Sequence, residues 1–187
     1  LRRTRAEALK KASKDEKRRE ELRAIAAELA SRGARPPRAT AFVEGTAVPV
    51  GAKVVHLIRH GEAEHNRAII ELSSRGLSRE SLEADPAFVD PPLTDAGRAG
   101  AAALSKELRG LRVPPEVIIV SPMRRALETA VIAAGSPLLC PIVALEEARE
   151  RFGRHTFDRR SSISELRRDY DPVDFSSIHS DEDSLWT

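Results

Sequence analysis

The sequence predicts an α/β domain, a three-layer α/β/α arrangement around a mostly parallel sheet, preceded by an N-terminal helical extension. Three observations carry this. Short β-branched apolar runs alternate with helix-forming segments from residue 53 onward. Cap and turn residues stand at the junctions between them. The charge is also divided: residues 1–38 hold 13 Lys/Arg and 6 Asp/Glu, a net +7, whereas residues 39–187 hold 18 and 23, a net −5. A basic arm therefore precedes a mildly acidic body, and the whole-chain net charge of +2 describes neither part.

Residues 4–31 are rich in Ala, Glu, Lys, Arg and Leu and contain no Gly or Pro, which is a helix composition. Leu22, Ile25, Ala26 and Leu29 recur at helical spacing, so only the second half has an apolar stripe. Gly33, Pro36 and Pro37 end that helix. The basic helical arm is placed at 1–38 and a linker at 39–52, with a short extended piece at Thr40–Val43. The third unit is 53–187. Its first element is the apolar run Val54–Ile58, expected as a buried strand. A polar turn and a helix over 64–76 follow. Residues 77–92, with Pro86, Pro91 and Pro92, are expected to be irregular.

Thr94 is an N-cap with Asp95 in the first turn, and the helix it opens stops at Gly110. Val117–Val120 is a second buried strand. Ser121 and Pro122 read as an N-cap and a proline at the first helical position, and Gly135 ends that helix. Leu139–Leu145 is a third strand. Alternation of this kind implies a parallel sheet with helices on its faces. Beyond about residue 150 the chain reads as polar and irregular.

Composition excludes several classes. The chain has 187 residues, of which 41% are hydrophobic and 32% charged, enough apolar material for one core. Aromatics are 4%, which argues against an aromatic stacking platform for nucleic acid. Cys140 is the single cysteine, so neither an intramolecular disulfide nor a cysteine zinc cage is expected. No apolar run reaches membrane-spanning length, and 1–38 has no apolar stretch of the secretory kind. A cytoplasmic or organellar interior is expected rather than secretion. The chain opens at Leu1 rather than Met, which reads as a processed or incomplete front.

The informative stretch is Leu57-Ile58-Arg59-His60-Gly61-Glu62-Ala63-Glu64-His65-Asn66. It places Arg-His-Gly just past the end of an expected strand, where open α/β sheets bind ligands. Glycine lets the backbone approach a ligand, a helix start aims N–H groups at an anion, and arginine forks onto phosphate oxygens. Histidine in that setting is a covalent nucleophile for phosphorus. The second strand ends similarly, in Ser121-Pro122-Met123-Arg124-Arg125-Ala126, so one of Arg124 and Arg125 is expected beside Arg59 and His60. Arginines and helix N-termini around a histidine make an oxyanion pocket for a phosphoryl group.

These residues resemble the histidine phosphatase superfamily, the phosphoglycerate mutase-like group. Three segments carry the resemblance: 57–66, Pro92-Leu93-Thr94-Asp95-Ala96-Gly97, and Ser121-Pro122-Met123-Arg124-Arg125-Ala126 with Thr129-Ala130. Their order and spacing fit, and the likeness covers about 53–187. The later stretch from Arg149 to Arg160, with Val173-Asp174-Phe175 and Asp181-Glu182-Asp183, is similar to a plant and algal mutase-like branch. The resemblance implies a phosphoglycerate mutase-like fold and a phosphomonoester hydrolase or phosphotransferase that uses a phosphohistidine. The implied nucleophile is His60, with Arg59 and Arg125 holding phosphate and Asn66 touching phosphate or substrate. Gly61 and Glu62 belong to the same binding loop, Glu62 as an orienting group. Glu150 is the implied acid for the leaving oxygen, with Glu147 as the alternative. No metal and no other cofactor is implied, and the partner is a phosphorylated small molecule.

Two departures are set against this. Gly100 and Glu128 stand where the family often has glutamine. The family's second pocket histidine follows a later strand, which is expected to be missing by Thr187, and neither His155 nor His179 has the right context to replace it. The alternative reading is a non-catalytic scaffold subunit that docks through residues 1–32, where Leu22, Ile25 and Leu29 need cover. Other readings are plainer. His56 is expected as a packed or hydrogen-bonded strand residue, and Cys140 as core. His65 and His155 are expected at the surface, and a metal site on His56, His60 and Glu64 is not expected.

Overall fold

The computed structural model describes residues 52–150, 153 and 155–186. The expectations for the arm at 1–38, its apolar stripe and nearly all of the linker lie outside these residues.

The described chain builds an α/β fold in the order α1 (Glu64–Ser74), α2 (Glu80–Glu83), α3 (Asp95–Gly110), β1 (Ile118–Val120), α4 (Arg124–Ala134), β2 (Ile142–Ala144), α5 (Ile163–Asp169) and β3 (Val173–Asp174). Short 3-10 turns lie at Pro86–Phe88, Glu146–Ala148 and Thr156–Asp158. The sheet is three-stranded and parallel in the order β1-β2-β3. Ile118 pairs with Ile142 and Ile142 with Val173, so the β2 residue Ile142 is 1% exposed at the centre of the ladder.

Helix α3 begins as its sequence directs: the Thr94 hydroxyl accepts from the Gly97 N–H at 3.0 Å, and Asp95 sits in the first turn where the helix dipole favours a negative charge. Helix α4 ends at Gly135, whose φ of 70° lies in the left-handed region where a side chain is disfavoured. The start of α4 differs from expectation. Ser121 and Pro122 do not cap it. The N-cap is Met123, which has no capping side chain, and the Arg124 N–H is taken by the Asp90 carboxylate at 2.8 Å. A distant carboxylate does the work of a local cap, so the helix starts later than the Ser-Pro pair suggests.

Two further expectations are corrected. Residues 54–58 form no strand: Val55, Leu57 and Ile58 are 74%, 92% and 48% exposed. A β-branched run is ready to pair but does so only where a neighbouring edge receives it, and none does among the described residues. The described residues from 155 to 186 are not wholly irregular: they include α5 and the strand β3, which adds to the sheet beside β2. Their apolar residues Ile163, Leu166, Val173, Phe175 and Ile178 join Val120, Leu127, Ala130, Ala134, Ile142 and Ala144 in one core.

Phe175 is 2% exposed in this core. Phe175→Ala is therefore expected to destabilise the fold by about 3–5 kcal/mol. Chemical denaturation checks this, and a loss near zero would mean that the 163–178 segment does not belong to the core.

Candidate active site

The turn 59–63 and the start of α1 line an open cleft of about 390 Å³ with Arg59, His60, Gly61, Glu62, Asn66, Ile69 and Ile70. Glycines permit the turn to seat against the start of α3. A Cβ on Gly97 would lie 2.1 Å from the Glu62 carbonyl oxygen, and one on Gly61 would lie 2.7 Å from the Gly97 carbonyl oxygen. The contact is fastened by Thr94, whose N–H donates to the Glu62 carbonyl at 2.9 Å and whose hydroxyl donates to Glu62 Oε1 at 2.7 Å. Ala63 and Leu93 form an antiparallel bridge beside it. Glu62 thus lines the cleft while its carboxylate is tied to the α3 cap.

His60 is half-buried, and its Nδ1 lies 2.7 Å from the Gly61 carbonyl oxygen. A carbonyl only accepts, so Nδ1 carries the proton and Nε2 keeps its lone pair. Burial lowers the His60 pKa below 6.5. The Gly61 hydrogen bond and Glu150 oppose that shift, and Arg125 and Arg59 add to it. The Gly61 N–H donates to Thr129 Oγ1 at 3.0 Å, and that hydroxyl donates to the Arg125 carbonyl at 2.7 Å. Thr129 therefore links the histidine loop to the first turn of α4.

The structure separates the two candidate arginines. Arg124 is held outward by Ser161 and by Asp169, at 3.0 and 2.7 Å. Arg125 is 4% exposed and acts on His60. It donates to the Phe157 carbonyl at 2.7 Å and lies 3.6 Å from Asp158 Oδ1. Burial lowers its pKa, and Asp90, Asp158 and Glu150 oppose this. Arg59 is exposed on the cleft wall. Glu150 is exposed, and its charge reaches both His60 and Arg125. Glu147 is also exposed, whereas Glu146 is occupied by Arg149 and Arg160.

Asn66 stands at the third position of α1 and reaches back, its Oδ1 accepting from the Ala63 N–H at 3.0 Å. Its Nδ2 lies 3.0 Å from His65 Nε2.

His65 and His155 are not surface residues: each is 5% exposed. Both stack on one ring, His65 with Phe157 at 4.7 Å and His155 with Phe157 at 4.8 Å between centroids. His155 also lies 3.5 Å from the Glu83 carboxylate. His56 is exposed, 3.3 Å from the Val113 carbonyl oxygen, and Cys140 is buried. No His/Cys/Asp/Glu cluster among the described residues is arranged to hold a metal.

Sequence reasoning missed Asp90, which is 1% exposed and accepts from the backbone N–H groups of Arg124 and Ser161, each at 2.8 Å. Its φ of 44° falls in the left-handed region, which Asp tolerates better than most residues. It also missed Asp158 and Phe157 beside Arg125. Thr129 had a signal in its favour, since it stands one helical turn after Arg125.

The histidine phosphatase superfamily (branch 1) pattern matches residues 55–181, more than half of the chain. The chain belongs to this superfamily. A phosphoglycerate mutase-like protein of Arabidopsis thaliana is 31% identical over 163 residues, covering 72% of this chain and 58% of its own length. A probable phosphoglycerate mutase of Saccharomyces cerevisiae is 28% identical over 165 residues, with 72% and 55% covered. A probable phosphatase of Schizosaccharomyces pombe is 39% identical over 77 residues, with 41% and 30% covered. The chain thus spans little more than half the length of the mutase-like relatives. No helix among the described residues is long and apolar enough to cross a membrane.

The buried histidine of this histidine phosphatase domain sets a pH dependence. Burial first, then the charges of Arg125, His60 and Arg59, lower the His65 pKa from 6.5 to about 3. Between those values the unfolded chain binds a proton that the folded chain refuses, so this contribution to stability is complete above pH 6.5 and is lost as pH falls. The slope is at most about 1.4 kcal/mol per pH unit. Denaturation of His65→Phe and the parent across this range is expected to show a shallower acid decline in the variant. Parallel curves would contradict the assignment.

Proposed function

We propose that this domain is a phosphomonoester hydrolase, or a phosphotransferase, working through a phosphohistidine on His60. The observation that carries the reading is the state of His60. Its Nδ1–H is spent on the Gly61 carbonyl, so the lone pair lies on Nε2; His60 lines the cleft with Arg59 and Asn66, and the charge of Arg125 reaches it. The Nε2 lone pair attacks phosphorus as the bond from phosphorus to the ester oxygen breaks. Glu150 hands the leaving oxygen its proton. In the second half Glu150 takes a proton from water, or from an acceptor alcohol, whose oxygen attacks the phosphohistidine and returns His60 with its lone pair. The arginines balance charge on the equatorial oxygens. The relatives, a probable phosphatase and mutase-like proteins, support this class. The alternative, a scaffold subunit docking through residues 1–32, rests on residues outside those described.

Turnover of p-nitrophenyl phosphate tests the reading. His60→Ala is expected to lower kcat by about a thousandfold or more. Arg125→Lys is expected to cost about a hundredfold, since an ammonium does not reproduce the planar fork. Neutral His60 is the reactive form and its pKa is lowered, so the acid limb of kcat/KM is expected below pH 6.5. Unchanged turnover in His60→Ala would favour the scaffold reading.

A further inference from the structure

His65 is a costly choice for the place it occupies. It is 5% exposed and stacks flat on Phe157, with 14° between the ring planes, and its Nδ1 is buried with no hydrogen-bond partner. A phenylalanine fills such a slot without stranding a polar atom. What an imidazole adds lies at its other nitrogen. Asn66 Oδ1 accepts from the Ala63 backbone N–H, and a backbone N–H only donates, so the orientation of the amide is fixed. The Asn66 Nδ2 group then faces His65 Nε2 at 3.0 Å. An amide NH2 only donates, so Nε2 accepts and the His65 proton resides on Nδ1. One Nδ2–H is used in this way, and the second remains on an amide that lines the cleft with His60.

We propose that His65 is a positioning residue for phosphoryl transfer: its Nε2 locks the Asn66 amide, which presents its second Nδ2–H to the phosphoryl group beside His60. The proposal rests on the phosphohistidine reading. The His65 and His60 rings are tilted by 49° with centroids 6.4 Å apart, and the one His65 nitrogen with a hydrogen-bond partner is engaged by Asn66, so His65 acts through Asn66 rather than on the reacting atoms. Burial keeps the imidazole neutral, with its pKa lowered to about 3, so Nε2 stays a bare acceptor at neutral pH. Without this acceptor the amide is held on its oxygen side alone and its donor direction is free to vary.

The test compares His65→Phe, His65→Gln, Asn66→Ala and the His65→Phe/Asn66→Ala double variant with the parent. The readouts are p-nitrophenyl phosphate kinetics, inhibition by inorganic phosphate, and thermal melting. His65→Phe is expected to fold, and to raise KM and the phosphate inhibition constant about tenfold, the size of one lost hydrogen bond. His65→Gln, whose amide oxygen also accepts, is expected to recover most of that loss. In the Asn66→Ala background His65→Phe is expected to add nothing. A folded His65→Phe with unchanged constants, or effects that multiply in the double variant, would overturn the proposal. Should His65→Phe fail to fold, nitrogen-15 NMR of the parent decides: an Nδ1-protonated His65 is expected, and an Nε2-protonated one overturns the proposal. Failure of the underlying reading looks different, because the parent itself then shows no turnover or His60→Ala keeps it.

Discussion

Everything at the site hangs on a backbone contact too close for a side chain. The start of α3 presses Gly97 against the Glu62 carbonyl, and the Thr94 backbone and hydroxyl fasten the same peptide. That contact sets the position of the 59–63 turn, and the turn sets His60 through its own Gly61 carbonyl. Thr129 ties the Gly61 amide to α4 and thereby to Arg125. A helix cap, the His60 loop and an arginine are thus referred to one another by hydrogen bonds that involve backbone groups. Backbone-referenced geometry holds a site more rigidly than long side chains do, and rigidity is what electrostatic stabilisation of a phosphoryl group requires.

The second support is a single buried carboxylate. Asp90 replaces a local cap on α4 and also holds Ser161, so it joins the segment before α3 to the segment before α5. Burial raises its pKa, while its two backbone donors and Arg124 favour the charged form. Around it the polar network is dense. Arg149 bridges to Asp183, and Arg160 donates to the carbonyls of Ser180, Asp181 and Glu182. These arginines fasten the 180–183 segment to the body, and Phe157, next to Asp158, stacks with His65 and receives Arg125 at its carbonyl.

Much of this was legible where the signal is local. Thr94, Gly135 and the short runs around Val120 and Ile142 announce a cap, a stop and two strands, each within a few residues of its expected place; β2 is buried as expected, whereas β1 is not, its Ile119 being 42% exposed because no element among the described residues covers that face. The Arg-His-Gly turn and the Arg125 turn were legible as motifs, because each is a short local run of residue types. The rest depended on distant partners. Val54–Ile58 has strand composition, but no edge among the described residues receives it. Ile163, Leu166, Val173, Phe175 and Ile178 are spread among polar residues, so no window shows them as core. His65 sits in a run of polar residues, and only the position of Phe157 reveals that it is buried. Asp90 looks like a turn residue until Arg124 and Ser161 are seen on its two oxygens.

The central claim is that His60 Nε2 becomes covalently phosphorylated. Brief incubation with p-nitrophenyl phosphate, quenching in base and mass spectrometry of the peptides test it most directly. One phosphoryl group on the peptide containing His60, labile to acid and absent from His60→Ala, is the predicted result. Turnover without any phosphoryl group on that peptide, or with the group on another residue, would contradict it.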